Sequence, residues 1–129
     1  MVKKVMIVDD TRDTVEMVEK LLKSEGYNTI IAFNGKEALD KLRSVKDDEK
    51  PDLILLDMFM PEMSGREVCE TIRADKDPGL KDIKIAFFTV ANFKEQGKQI
   101  LNDLKVIDYI TKPFDVDDLL NRVRTMLEQ

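Results

Sequence analysis

Five times along the chain, a short run of consecutive apolar residues is followed by a segment in which apolar residues return every three or four positions. Val5-Met6-Ile7-Val8 leads into Val15, Val18 and Leu22, with Met17 and Leu21 alongside. Asn28 to Ala32 leads into Ala38, Leu39 and Leu42, and Leu53-Ile54-Leu55-Leu56 leads into Val68 and Ile72. Ile83 to Phe88 precedes a weaker helix carrying Ile100, Leu101 and Leu104 with Gly97 in its interior, and Val106 to Ile110 precedes Leu119, Leu120, Val123 and Leu127. Strands that are apolar at consecutive positions need cover on both faces, and helical crossovers between parallel strands supply it. The expected fold class is therefore α/β, a doubly wound parallel sheet of five strand and helix pairs.

Local punctuation agrees with this alternation. Gly26 is placed to stop the first helix, and Asn34-Gly35-Lys36-Glu37 and Ser64-Gly65-Arg66-Glu67 have capping-box form. Asp115 suits the N-cap of the last helix, and Pro78-Gly79 marks a turn. The charged stretch Lys46 to Lys50, ending at Pro51, reads as a solvated loop.

Composition removes several functions. At 129 residues the chain has room for one compact unit, expected over 1–129. Twenty-one basic against 26 acidic residues leave a formal charge of −5, which disfavours direct nucleic-acid binding. No apolar run approaches the roughly 18 to 20 residues of a membrane helix, and Met1 to Lys4 does not begin a signal peptide, so no membrane association and a cytoplasmic location are expected. The single cysteine, Cys69, forms no internal disulfide and reads as a packed thiol; with no histidine, Cys/His zinc sites and Ser-His or Cys-His nucleophile pairs are excluded. The seven methionines and six phenylalanines read as core filler.

In an open parallel sheet the ligand crevice lies beyond the carboxyl ends of the strands. There the sequence places Asp9-Asp10 after the first strand, Asp57 after the third, Thr89 after the fourth and Thr111-Lys112-Pro113 after the fifth. Singly, each aspartate could simply precede or cap a helix. Together they repel, since two carboxylates about 4 Å apart cost around 4 kcal/mol at an effective dielectric near 20. An all-oxygen, hard donor set suits Mg²⁺, a cation often shared with phosphate oxygens. Lys112 and Thr89 could bond such oxygens, and Asp57 could itself be the nucleophile that becomes an aspartyl phosphate.

These residues, with Met60-Pro61 and Gly65 after Asp57, Tyr109 in the fifth strand and the run Lys112-Pro113-Phe114, make the chain resemble a receiver domain of two-component response regulators over essentially its full length. The resemblance implies a flavodoxin-like (βα)5 sheet in strand order 2-1-3-4-5. It implies Asp57 as phosphoacceptor, charged from a sensor histidine kinase or histidine phosphotransfer protein. Mg²⁺ would be held by Asp10, Asp57 and the Phe59 carbonyl, and by Asp9 largely through water. Thr89 and Lys112 would bind the phosphoryl group, the Lys112-Pro113 bond would be cis, and Thr89 with Tyr109 would form the switch. The fourth helix, fifth strand and fifth helix would signal to a downstream effector protein, and no enzyme activity beyond self-phosphorylation and autodephosphorylation is implied. The charged first-helix residues Arg12, Asp13, Glu16 and Glu19 are either a solvated face or, by the resemblance, part of the kinase dock.

Val90 and Ala91, after Thr89, and Phe59 depart from the family pattern, and Val90 is expected to narrow the entrance above Asp57. Rival classes fit less well. A haloacid-dehalogenase-type phosphatase wants a second aspartate where Phe59 stands, and a nucleotide or flavin module wants a less acidic first loop than Asp10-Thr11-Arg12-Asp13. A receiver-fold binding module that works without phosphorylation remains the alternative.

Overall fold

The computed structural model describes residues 2–90, 99 and 102–129. In chain order these form β1 (Lys4–Val8), α1 (Arg12–Ser24), β2 (Asn28–Ala32), α2 (Gly35–Ser44), a 3₁₀ turn (Asp47–Glu49) and β3 (Leu53–Asp57). Then follow α3 (Gly65–Arg73), a one-turn helix α4 (Pro78–Lys81), β4 (Lys84–Thr89), β5 (Asp108–Thr111) and α5 (Val116–Glu128). All strand pairs are parallel, in the order β2-β1-β3-β4-β5. The doubly wound α/β class is the one the alternation leads to expect, and the flavodoxin-like strand order is the one the resemblance implies.

The reason the strands read as unbroken apolar runs is visible in the core. Met6, Val8, Ile54, Leu56, Ile85 and Phe87 pack on one face with Ala38, Leu39 and Leu42 of α2 and Val68, Cys69 and Ile72 of α3. Val5, Ile7, Leu53, Leu55, Ala86 and Phe88 pack on the other with Val15, Val18 and Leu22 of α1 and Leu119, Val123 and Leu127 of α5. Successive side chains thus enter opposite layers, as the period of two in a strand dictates. Cys69 is a buried free thiol, and burial pushes its pKa up to about 11. Met17, unlike most of the methionines described, is 46% exposed on α1.

The caps behave as their sequences indicate. Asn34, Ser64 and Asp115 accept the backbone N–H of Glu37, Glu67 and Asp117. Glu37 in turn accepts from the Phe33 amide. Gly26 has φ +90, and the amides of Gly26 and Tyr27 bond the carbonyls of Lys23 and Leu22, which ends α1 in a Schellman motif.

Several local features differ from the sequence reading, among them β4, which runs one residue later than expected, over Lys84–Thr89. The expected turn at Pro78-Gly79 is a helical turn, because Asp77 caps it through the Gly79 amide. The loop around Lys46 to Lys50 contains a 3₁₀ turn, and Lys50 is not solvated: its side chain is 8% exposed and bonds Asp47 and Asp77. β5 starts at Asp108, not Val106, because Lys105 turns the chain with φ 54. Of the helix expected through Ile100, Leu101 and Leu104, only Leu104 lies among the described residues, and Gly97 and Ala91 lie outside them.

Arg73, the last residue of α3, pins this region. Its guanidinium donates to the carbonyls of Lys81, Ile83, Leu104 and Lys105. A non-glycine residue in the left-handed region costs roughly 1 to 2 kcal/mol, which a glycine relieves less its own entropy cost. Lys105→Gly is therefore expected to stabilise the fold by about 0.5 to 1 kcal/mol, read as a higher urea midpoint at unchanged slope. A lower midpoint would mean that the lysine side chain outweighs the strain.

Candidate metal and phosphoryl site

The parallel register brings the strand carboxyl ends to one edge. Asp57 is the Cα partner of Phe88, and Thr89 of Thr111. Asp9, immediately after β1, is fully buried; Asp57, the last residue of β3, is 6% exposed, Thr89 is 1% exposed, and Asp10 is exposed. One carboxylate oxygen from each of Asp9, Asp10 and Asp57 lies within 4.8 Å of the others. Among the described residues this is the one group of carboxylate, thiol or imidazole ligands able to hold a metal ion.

Each buried carboxylate has donors. Asp9 accepts from the Thr11 amide at 2.9 Å and from the Lys112 ammonium. Asp57 accepts from the Phe59 amide at 3.2 Å, and Lys112 Nζ lies 3.7 Å from its Oδ1. Burial and then the neighbouring Asp9 charge push the Asp57 carboxyl up to about 6, against the opposing pull of Lys112 and the Phe59 amide. A carboxylate that is hard to ionise in the free protein, beside two others, is the electrostatic signature of a site completed by a cation. The donor set, all oxygen and hard, fits Mg²⁺.

The loops that carry these groups are tightly held. Gly65 opens α3 against the end of β3, its amide bonded to the Met58 carbonyl, and a Cβ there would stand 2.2 Å from the Asp57 carbonyl oxygen. Glu62, at φ 68, sits at the centre of a tight turn closed by the Met63 amide and the Pro61 carbonyl. The Lys112 amide bonds the Thr89 carbonyl at 2.6 Å, and the Lys112-Pro113 peptide bond is cis. Tyr109 is half-buried on β5, against the core layer that contains Phe87.

Sequence reasoning placed the charged groups but missed their neighbours. The Lys112 ammonium lies 5.7 Å from the Phe88 ring centroid, and Phe88 stacks on Phe114. Arg12, expected on a solvated or docking face, lies over the Phe33 ring at 4.6 Å, and Glu19 accepts from Thr29. No local pattern marks these contacts, because each joins residues from different elements of the fold. Phe59 and Val90 are 58% and 68% exposed at the site's edge.

A five-stranded parallel sheet with an aspartate cluster and a lysine at its carboxyl edge defines a class of phosphoryl- and metal-handling α/β proteins. The profile of the response regulator receiver domain matches residues 5–124, and the chain belongs to that family. Solved structures agree. Chemotaxis protein CheY4 of Vibrio cholerae is 28% identical, with a TM-score of 0.86 over 98% of this chain and 99% of that one. A putative response regulator of Chloroflexus aurantiacus is 29% identical, TM-score 0.83, over 100% of both chains. The receiver domain of a signal transduction histidine kinase of Syntrophus aciditrophicus is 28% identical, TM-score 0.82, over 98% of this chain and 91% of that one. Receiver domains are signalling switches of two-component systems that bind Mg²⁺ at an acidic pocket and work between histidine kinases or phosphotransfer proteins and downstream effectors. No helix among the described residues is long and apolar enough to cross a membrane.

Proposed function

We propose that the chain, as one receiver unit over residues 1–129, accepts a phosphoryl group on Asp57 from a phosphohistidine of a sensor histidine kinase or histidine phosphotransfer protein. The observation that carries this reading is the buried Asp57 carboxylate within 4.8 Å of Asp9 and Asp10 oxygens and 3.7 Å from the Lys112 ammonium. An Asp57 oxygen attacks phosphorus, the new O–P bond forms as the imidazole N–P bond breaks, and the imidazole nitrogen leaves with the electron pair and takes a proton from solvent. Asp10, Asp57 and the Phe59 carbonyl would hold Mg²⁺, with Asp9 acting largely through water. When bound, the ion neutralises charge on the carboxylates and on the transferred group. Lys112 meets a phosphoryl oxygen as a point charge and Thr89 offers it a hydroxyl.

Thr89 and Tyr109 form the switch, and the surface of β5, α5 and the helix expected before β5 signals to an effector protein. The chain acts in the cytoplasm, without nucleic-acid or membrane binding, and turns over nothing beyond its own phosphoryl group. Incubation with acetyl phosphate and Mg²⁺ should give a single phosphoryl adduct by mass spectrometry, mapped to Asp57. No adduct from any competent donor, together with a spectrum unmoved by beryllofluoride and Mg²⁺, would favour a passive binding module.

The exposed Val90 and Phe59 side chains stand where a donor must approach. Val90→Ala should speed acetyl-phosphate labelling about threefold, a barrier change of under 1 kcal/mol. Equal rates would remove Val90 from the entrance.

A further inference from the structure

We infer that Phe88 is a positioning residue for Lys112: its ring face, fixed by Phe114 and by strand pairing with Asp57, keeps the ammonium in the crevice where the phosphoryl group arrives. The inference rests on the reading of Asp57 as phosphoacceptor. Lys112 Nζ is bonded to Asp9 Oδ2, 3.7 Å from Asp57 Oδ1 and 5.7 Å from the Phe88 centroid. An aromatic face attracts a cation within about 6 Å, most strongly where water is excluded. Phe88 is fully buried and the Lys112 side chain is 17% exposed, so the attraction is little screened.

The ring itself has little freedom. It stacks on Phe114 at 5.8 Å with planes 25° apart, and the Phe88 carbonyl accepts from the Met58 amide at 2.9 Å, one residue beyond Asp57. Lysine carries its charge on a flexible four-carbon stem. Asp9 restrains that charge in the free protein, but phosphoryl oxygens compete with Asp9 for the ammonium, whereas they do not compete with the ring. The ring contact therefore persists while the ammonium changes oxygen partners, and it biases the stem toward the crevice in both states.

The test compares the wild type, Phe88→Leu and a protein carrying trifluorophenylalanine at position 88, which keeps the ring's shape and removes most of the negative charge from its face. In metal-free protein, NMR should show the Lys112 ε-methylene protons displaced upfield by the ring, a displacement lost in Phe88→Leu. With Mg²⁺, both variants should be labelled by acetyl phosphate about three- to tenfold more slowly, at unchanged Mg²⁺ affinity because the three carboxylates are intact. Labelling of the trifluoro protein at the wild-type rate would overturn the positioning role, whatever Phe88→Leu does. An ordinary Lys112 ε signal in the wild type would overturn the placement even where labelling is slowed. A wild type that accepts no phosphoryl group would overturn the receiver reading, and the positioning role with it.

Discussion

Asp57→Asn should accept no phosphoryl group and, in metal-free solution near pH 7, should be more stable than the wild type by about 1 to 2 kcal/mol. The first half follows from removing the proposed nucleophile. The second follows from the surroundings of the carboxyl: burial and Asp9 raise it from 3.8 to about 6 in the folded protein. Below pH 3.8 the group is protonated in both states, so the variant gains nothing there. As pH rises, the unfolded chain releases the proton first, folding becomes less favourable, and the deficit is complete once the folded carboxyl ionises above about 6. Taken whole, that rise would be worth about 3 kcal/mol; sharing of charge with Asp9 and Lys112 and screening by solvent bring the expected gain to about 1 to 2 kcal/mol. Asparagine retains an oxygen for the Phe59 amide and carries no charge. Urea melts across this pH range check the sign; a wild-type to variant difference independent of pH would contradict it. Mg²⁺ should raise the wild-type midpoint and leave the variant nearly unmoved, because a ligand that binds only the folded state stabilises it by mass action.

Gly65→Ala should be the most damaging single methyl group that can be added to this chain near the site. Its Cβ would meet the Asp57 carbonyl oxygen at 2.2 Å and the Met58 Cα at 2.9 Å. Both obstacles are backbone, so neither can rotate away, and α3 must lift from the end of β3. Overpacking typically costs 1 to 3 kcal/mol, and a backbone collision of this depth should lie at about 3 kcal/mol or above. Because α3 would lift from the strand end that carries Asp57, phosphorylation should fall with stability. An unfolding free energy within about 0.5 kcal/mol of the wild type would show that the loop from Met60 to Ser64 absorbs the methyl group.

Much of this architecture is legible without coordinates because it rests on periodicity. Val5 to Val8 and Leu53 to Leu56 announce two-sided strands, and the caps at Asn34, Ser64 and Asp115 depend on residues no more than three apart. The meeting of Asp9, Asp10 and Asp57 is legible for the same reason: parallel strands bring their carboxyl ends together whatever the loop lengths. What the sequence hides is set by distance across the fold. Lys50 looks like one more charge in a solvated run, yet it is drawn inward by Asp77, 27 positions away. The Lys112 bond to Asp9 spans 103 positions, and the direction of the Asp57 shift depends on how deeply two carboxyls are buried. The helix turn at Pro78 was hidden because one proline followed by one glycine signals a turn whether or not a cap precedes it.

Among the described residues, the guanidinium of Arg73 donates to four carbonyl oxygens and to no carboxylate. Backbone acceptors carry no net charge, so neither acid nor salt detaches them as it would an ion pair. α3 begins beside Asp57 and ends at Arg73, so this knot lies at the opposite pole from the aspartates. It moors the chain on both sides of β4 to one helix terminus, leaving rearrangement cheapest at the acidic rim and dearest at the base.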